Sequence, residues 1–450
     1  MSYRWSKGKN YLRLDQKGGY GSSTNFFNRD NVLQVGLVRK LKFFIAKKII
    51  RSKSYKSSIS SPIIKIGVTA IAIGIIVMLV SIATGVGLQK KIREKAVAFN
   101  GHITIANFDS NDSDESQFPI LLDSTFYPNY SSNQGVSHIQ GVASKFGVIR
   151  TMQTFEGVVF KGVDEHYHWE IISDYILKGR VPNFESSFSK EVVISKYIAD
   201  RLDLDLGDQF EMYFSKSDIQ KIPYVRKFVI VGIYESGFHE IDEKLIIGDI
   251  THLRFINKWT HNQVGSYEVF IDDFDNLEIL TDTIYENIPS NLNATSVKSR
   301  YQSVFEWIEI FDNNTSGIIF IMLLVAGINM ITTLLVIILE KTRLIGILKA
   351  LGCNNWSIRK IFVYNALYLV LRGLIIGNVI GILILIVQQK FQLLKFPNPE
   401  QYYMSYIPVD IDINAFIFLN LGTFTACFIM LIIPSIIISK ITPVKAIKFE

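Results

Sequence analysis

The sequence has few cysteines, and it lacks several short motifs that mark catalytic sites. Its two cysteines, Cys353 and Cys427, both lie outside the long polar middle of the chain. We therefore expect neither a disulfide nor a cysteine-type zinc site. No G-x-x-x-x-G-K-[ST] segment occurs, so the chain cannot supply a P-loop, and the G-x-S-x-G and H-E-x-x-H patterns are also absent. Catalysis within this chain is not expected.

The seven histidines lie between residues 102 and 261, and they offer little as metal ligands. His166 and His168, beside Asp164 and Glu165, form the one metal-like cluster, because alternate residues of a strand share a face. No third ligand is in register with them, so an ordinary polar edge is favoured over a metal site. The sequence thus predicts no metal or other cofactor bound by this chain.

Four long stretches contain at most one charged residue each. Residues 66–88 and 317–339 are each 23 residues without a charged side chain, or about 34 Å of helix, enough to cross a ~30 Å hydrocarbon core. Residues 361–387 are apolar except for Arg372, and 415–438 are apolar with Pro434 near the end. The predicted fold class is therefore an integral membrane α-helical protein with four transmembrane helices and an inserted mixed α/β extracytoplasmic domain.

Lysine and arginine near the span ends predict the orientation. They concentrate before the first span, between the second and third, and after the fourth, which places both termini in the cytoplasm. Lys90, Lys91, Arg93 and Lys95 break this rule locally. The predicted order is a disordered basic tail (1–36), an amphipathic interfacial helix (37–60), span 1 (61–88), a periplasmic domain (89–315), span 2 (316–339), a cytoplasmic coupling loop (340–360), span 3 (361–388), a short periplasmic loop (389–413), span 4 (414–438) and a cytoplasmic tail (439–450).

The outer domain has short β-branched and aromatic runs, bounded by turn residues, that predict strands. Residues 196–204 and 275–288 predict helices. The predicted strands are His102–Ala106, Gly157–Gly162, Glu191–Ser195, Gln209–Phe214, Lys227–Tyr234, Lys244–Gly248 and Tyr267–Ile271.

Small and polar residues mark the spans. Gly373, Gly377 and Gly381 share one face of span 3 and predict close approach of another helix. Ala70 and Gly74 have the same spacing in span 1, which predicts close pairing of the span 1 helices of two copies. Arg372 lies about 16 Å past the inner end of span 3, near mid-membrane. It is either an intramembrane functional site or a structural residue, a snorkelling side chain or a partner of Asn329, Asn365 or Asn378.

The loop between spans 2 and 3 predicts a short amphipathic helix. Leu344, Ile347, Leu348 and Leu351 fit one face, and Gly352 fits its end. Such a helix either lies on the bilayer or docks into a cytoplasmic partner.

This loop carries a resemblance. Residues Glu340 to Gly352, with Trp356 following, resemble the E-[KR]-x-x-[ER]-I-G-x-x-[KR]-A-[LI]-G signature of MacB/FtsX-type ABC permeases. Residues 441–450 resemble the P-x-[KR]-A-[IL]-[KR] ending of that family, and Gly85 to Gln89 its passage from span 1 into a long helix. Four spans, no fused ATPase and a 227-residue outer domain make the lipoprotein-releasing (LolC/LolE-type) branch the closest match.

The resemblance implies a non-catalytic permease subunit of the bacterial inner membrane, whose two-lobed periplasmic domain extracts lipoproteins. The implied partners are a cytoplasmic ABC ATPase dimer holding ATP and Mg, a second permease copy or paralogue, a periplasmic lipoprotein or carrier, and membrane lipid, with no nucleic acid. Alternatives are an FtsX-like regulator of a cell-wall hydrolase, a MacB-like export subunit, or an ATPase-independent sensor. The implied ATPase-coupling residues are Glu340, Lys341, Arg343, Ile345, Gly346, Leu348, Lys349, Leu351, Gly352 and Trp356.

The family's carrier-contact hairpin matches residues 214–226, although this segment is shorter than the usual hairpin. The implied contact residues are Ser215, Lys216, Ile219, Lys221 and Pro223.

Overall fold

The computed structural model describes residues 60–110, 114–122, 135–152, 154–184, 188–214, 223–398 and 402–442. The predicted tail, all but the last residue of the predicted interfacial helix, and residues 443–450 lie outside this part of the chain. Contacts divide the protein into two compact units, described separately below. One comprises Ala72–Leu324 and Ile375–Gly422, and the other Met1–Ile71, Val325–Leu374 and Thr423–Glu450.

The secondary structure of the described residues is mixed. The helices are α1 (Ser60–Asn100), α2 (Trp169–Ser173), α3 (Lys196–Leu202), α4 (His239–Asp242), α5 (Thr251–Asn257), α6 (Leu277–Asn287), α7 (Val297–Arg300), α8 (Gln302–Glu340), α9 (Thr342–Ala350), α10 (Asn355–Phe391), α11 (Ile413–Ser435) and α12 (Ile437–Lys440). The strands are β1 (Ile103–Asn107), β2 (Ile120–Leu121), β3 (Val136–Arg150), β4 (Phe155–Val163), β5 (Ile176–Gly179), β6 (Glu191–Ser195), β7 (Gln209–Phe214), β8 (Tyr224–Tyr234), β9 (Leu245–Asp249), β10 (Gln263–Val264), β11 (Ser266–Ile271) and β12 (Leu292–Ser296).

Four segments of the described chain are long and apolar enough to cross a membrane: α1, α8, α10, and α11 together with α12. The last segment is interrupted beside Pro434, which has no backbone N–H for the helical hydrogen-bond ladder. With the sheet of the outer domain, these segments confirm the predicted fold class.

Helix α1 continues well past its apolar run. Residues 89–100 keep helical periodicity, since Ile92, Ala96 and Phe99 are fully buried while Lys90 and Lys91 are exposed. Gly101 ends the helix with φ of +69°, a conformation that other residues rarely adopt. The first span and the stalk of the outer domain are thus one helix.

The outer domain contains a ten-stranded mixed sheet within the described residues, in the order β12-β1-β11-β3-β4-β9-β6-β8-β5, with β7 pairing with both β3 and β8. The β4–β9 and β6–β8 pairs are parallel, and the other pairs are antiparallel. Its buried core includes the stalk residues Leu88, Ile92 and Phe99. All seven predicted strands are present, and α3 and α6 match the two predicted helices.

The basic residues just beyond span 1 each have a partner in the same unit. These contacts hold the four side chains against the outer domain, and a long domain translocates largely regardless of such charges. The contacts are Lys90 to Asp410 (2.8 Å), Lys91 to Glu94 (2.7 Å), Arg93 to Asp275 (3.9 Å) and to the ring of Phe274, and Lys95 to the carbonyl of Tyr403 (2.6 Å).

The glycines of span 3 allow close approach of span 1. A Cβ at Gly377 would lie 2.8 Å from the carbonyl oxygen of Ala72, and one at Gly373 would lie 2.8 Å from the side chain of Ile71. Gly381 meets Leu79 in the same way. At Gly74, by contrast, an added Cβ meets nothing within 4 Å, so Gly74 is not part of a tight seam within this chain. Ala70 is half-buried.

Arg372 lies on the exposed side of α10, with its guanidinium 5.1 Å from the ring centroid of Tyr368. In the described residues it donates no hydrogen bond to the three asparagines considered above. Asn378 pairs with Asn420 (2.6 Å), and Asn365 is buried with neither side-chain oxygen nor nitrogen hydrogen-bonded.

Candidate functional site

The predicted coupling loop folds as helix α9. It follows α8 after the single residue Lys341, and it ends in a Schellman motif. Gly352 has φ of +84°, its N–H donates to the carbonyl of Lys349, and the N–H of Cys353 donates to the carbonyl of Leu348, both at 3.0 Å. These bonds satisfy carbonyls that the helix end would otherwise leave free.

One side of α9 is turned into its own unit. Ile345 is fully buried and Gly346 is buried, while Lys341, Leu344 and Leu348 are half-buried. Ile345 and Gly346 therefore hold the helix in place and are not available to a partner protein.

Lys349 also serves the chain itself. Its ammonium donates to the carbonyl of Ile441 (2.5 Å), just past the end of α12, and to that of Ser439 (3.3 Å), in its last turn. Arg359, at the start of α10, donates to the hydroxyl of Ser439 at 2.9 Å. Cations at a helix C-terminus meet the negative end of its dipole. Helix α9 is thus joined to the last span by its own charged residue, and neither Arg359 nor Ser439 was among the predicted site residues.

The opposite side of α9 is exposed. We call Arg343, Ile347, Leu351 and Trp356 the docking ridge. Arg343, Ile347 and Leu351 follow each other at four-residue spacing, so they share one helical face. Leu351 is 76% exposed and Trp356 60%, large values for apolar side chains beside a structured helix. The predicted apolar face is therefore split, because Ile347 and Leu351 face outward while Leu344 and Leu348 are half-buried.

Two further residues flank the docking ridge, of which Glu340 was predicted as a coupling residue and Lys360 was not. Glu340 is exposed at the end of α8, where it pairs with Lys341 at 2.5 Å. The ammonium of Lys360 lies 5.2 Å from the ring centroid of Trp356. The ridge thus presents an apolar surface with cationic groups at its edge.

The far end of the stalk is fixed by a buried polar network. Lys161 of β4 donates to the carbonyl of Phe99 (2.6 Å) and to Glu268 of β11 (2.5 Å), and Gln140 of β3 donates to Glu268 at 2.8 Å. Burial lowers the pKa of Lys161, and Glu268 opposes that shift. The end of α1 is therefore bound to three strands of the sheet, a connection that no sequence motif indicated.

The predicted carrier-contact hairpin is described only in part. Strands β7 and β8 form it, with Phe214 opposite Tyr224, and Pro223 is exposed just before β8. The other residues predicted to contact a carrier, Ser215, Lys216, Ile219 and Lys221, lie outside the described residues.

The histidine cluster does not form a metal site in the part of the chain that the structure describes, where no group of three or more His, Cys, Asp or Glu side chains could hold a metal ion. The rings of His138 and His168 lie 5.0 Å apart, and His138 Nε2 contacts the carbonyl of His166 at 3.0 Å.

Two family models match the chain, one before span 2 and one from span 2 onward. Residues 66–283 match the MacB-like periplasmic core domain, and residues 316–443 match the FtsX-like permease C-terminal domain. The second match includes α9 and the docking ridge.

Relatives extend over most of the length. The chain is 22% identical to the lipoprotein-releasing system transmembrane protein LolC of Neisseria meningitidis serogroup B, over 91% of this chain and 99% of that one. It is 21% identical to LolE of Haemophilus influenzae, over 76% and 82%. The periplasmic region of MacB from Actinobacillus actinomycetemcomitans aligns with 48% of this chain and 97% of its own, at 15% identity and a TM-score of 0.32.

The two family models together match most of the outer domain, the four spans and α9, and the relatives are permease subunits. The chain belongs to the MacB/FtsX-type ABC transporter permeases, as a multi-pass protein of the inner membrane.

Proposed function

We propose that this chain is the permease subunit of a lipoprotein-release transporter. A separate cytoplasmic ATPase docks on the ridge of α9, and its ATP-driven closure moves the spans and the outer domain. A lipidated protein then leaves the outer leaflet of the inner membrane. ATP and Mg belong to the ATPase, and this chain contributes no catalytic group.

The two-sided character of α9 is the observation that carries the proposal. Its inner side is fixed by the buried Ile345 and by Lys349 at the end of α12, while its outer side exposes Leu351 and Trp356. Tryptophan and arginine are enriched among binding hot spots, and surrounding apolar side chains exclude water from them. When a partner displaces a helix that is fixed on one side and exposed on the other, the displacement passes to the elements to which the helix is fixed.

The stalk gives the motion a path. Helix α1 runs from its span to Phe99, where Lys161 and Glu268 bind its end to the sheet. Helix α8 likewise runs without interruption from Gln302 to Glu340, next to the coupling helix. Displacement of these helices would therefore reach the outer domain mechanically, and no substrate has to cross the bilayer.

The docking step is tested by alanine substitution on the ridge. Leu351→Ala and Trp356→Ala should each weaken association with the ATPase chain about thirtyfold, as removal of a hot spot of about 2 kcal/mol does. ATP turnover of the assembled complex should fall with it. Leu393→Ala is the matched control, since Leu393 is 68% exposed on the loop between α10 and α11. Unchanged association in both ridge variants would refute the docking surface.

The lipoprotein step needs its own experiment. The permease and ATPase are reconstituted in vesicles carrying a lipidated protein, and transfer of that protein to the soluble fraction is measured with and without ATP. The LolC and LolE relatives favour release. Capture of a cell-wall hydrolase by the outer domain, with no release of lipidated protein, would favour the regulator alternative instead.

A further inference from the structure

A cavity of about 390 Å³ opens at the base of the outer domain, entirely within the unit that contains residues 72–324 and 375–422. Its walls come from the stalk part of α1, from α3 and α4, and from residues 404–408 of the loop before α11. The volume is in the range of sites for small polar ligands. None of the roles described above uses this cavity.

The edge of the cavity nearest the membrane lies at headgroup depth. The apolar run of span 1 ends at Leu88, and Lys91 and Lys95 of the cavity wall follow about 4.5 Å and 10.5 Å further along α1. Each headgroup layer of a bilayer is about 5–7 Å thick. Tyr197 and Tyr406 also line the cavity, and tyrosine is enriched at this depth.

The wall carries charges of both signs. The side chains of Lys91 and Lys196 are about half exposed, and each ammonium has donors to spare because it carries three. Lys196 lies 3.4 Å from Glu235, a loose pair. Asp200, one turn further along α3, is exposed and has no ion-pair partner among the described residues. A ligand complementary to this wall has both an anionic and a cationic group.

We propose that this cavity binds the phosphoethanolamine headgroup of a glycerophospholipid from the leaflet on the side of the outer domain. Lys91 and Lys196 hold the phosphate, and Asp200 accepts hydrogen bonds from the ammonium. A purely anionic headgroup would leave Asp200 and Glu235 facing like charge. A choline headgroup has the two charges but no N–H to donate to Asp200.

The proposal is tested on the full-length permease alone, so that it stands or falls independently of ATPase docking and lipoprotein release. The protein is reconstituted in nanodiscs of equal parts phosphatidylethanolamine, phosphatidylcholine and phosphatidylglycerol, and the lipids that remain bound after release are identified by native mass spectrometry. The wild type should retain phosphatidylethanolamine in clear excess over the other two.

The variants separate the two halves of the headgroup. Lys91→Ala with Lys196→Ala should lower retention of phosphatidylethanolamine about tenfold, the loss expected from charge-assisted hydrogen bonds. Asp200→Asn should abolish the preference over phosphatidylcholine while leaving phosphate-dependent binding. Lys196→Arg keeps the charge and should keep binding, which distinguishes loss of the ligand from loss of the fold. Lys178→Ala is the matched control, because Lys178 is an equally exposed lysine paired with Asp205.

Any of three results would overturn the proposal. The first is equal retention of the three lipids by the wild type, and the second is unchanged retention in the double lysine variant. The third is binding of soluble glycerophosphoethanolamine as strong as that of the lipid, which would assign the cavity to a ligand from solution.

Discussion

The outer domain and the membrane-spanning helices both contain tight contacts, but of opposite chemical kinds. In the outer domain a buried ammonium and a buried carboxylate, Lys161 and Glu268, fix the end of α1. Among the spans, glycines let backbones approach until a single added carbon would collide, as at Gly377. A buried charge is costly to leave unpaired, whereas a small-residue seam is sensitive only to volume. The two regions should therefore fail under different substitutions and respond differently to pH.

The largest effect is expected at the buried pair. Lys161→Met leaves Glu268 buried without its cation and should destabilise the outer domain by about 3 to 5 kcal/mol. Unfolding of the purified protein by denaturant, followed by near-UV circular dichroism, measures it.

The second substitution Glu268→Gln provides the control. It removes the uncompensated charge and keeps a group that can hydrogen-bond Gln140, so the double variant should recover most of the lost stability. If Lys161→Met alone were as stable as the wild type, the network would not be what fixes the stalk.

The domain should also respond to pH through His102. Burial lowers the pKa of this side chain to about 4, and its Nδ1 accepts a hydrogen bond from the N–H of Ile271 at 3.2 Å. The folded state binds the proton less readily than the unfolded chain, whose histidine titrates near 6.5. The contribution of His102 to stability should thus be complete above pH 6.5 and fall by up to about 3 kcal/mol between pH 6.5 and 4. Below pH 4 this group should cause no further loss.

The variant His102→Gln isolates this contribution, because burial also lowers the pKa of His252 and His138 in the same domain. Melting temperatures measured from pH 7.5 to 4 should decline less steeply in the variant. Parallel curves would show that His102 does not contribute to the acid sensitivity.

The glycine seam should respond to volume alone. At Gly377 an added Cβ would lie 2.8 Å from both the Ala72 carbonyl and the Ile75 side chain. Gly377→Ala should therefore destabilise the folded protein in detergent by about 1 to 3 kcal/mol, the usual cost of overpacking. Gly74→Ala is the matched control, because its Cβ meets nothing and alanine favours a helix by up to about 1 kcal/mol. Equal melting temperatures in the two variants would mean that the seam tolerates extra volume.

These contrasts also explain how far the sequence could be read. Long uncharged apolar runs predict spans because their side chains partition into the bilayer, where a helix satisfies the backbone hydrogen bonds in the absence of water. Short β-branched and aromatic runs such as 227–234 predict strands. The longest strand, β3, was missed. It contains Gly141, Gly147, Gln140 and Lys145, which read as polar or turn-forming residues. The two polar side chains fit a buried strand because residues distant in sequence bond to them. Glu268 accepts a hydrogen bond from Gln140, and Glu115 pairs with Lys145.

The same limit applies to the candidate site. The signature in 340–352 located the coupling helix, but it could not tell which side chains face a partner. Ile345 and Lys349 were assigned to ATPase contact, whereas the structure turns them toward their own chain. The deciding contact, from Lys349 to carbonyls about 90 residues later, leaves no local pattern. Ile347 was not assigned to ATPase contact, although it is exposed and lies four residues from both Arg343 and Leu351 on the docking ridge.

The smallest loss of stability is expected at Lys349. Like Lys161, it donates to carbonyls at or just past the end of a helix. Lys349 is only half-buried, and its partners are carbonyls rather than a carboxylate. Lys349→Met should therefore cost only about 1 to 2 kcal/mol of stability, while the freed α9 no longer moves with the last span. ATP turnover by the bound ATPase should persist, and release of lipidated protein should fall. Lys349→Arg, which can still donate to both carbonyls, should restore release. If Lys349→Met released protein at the wild-type rate, the tie between α9 and α12 would be structural rather than part of the transmission.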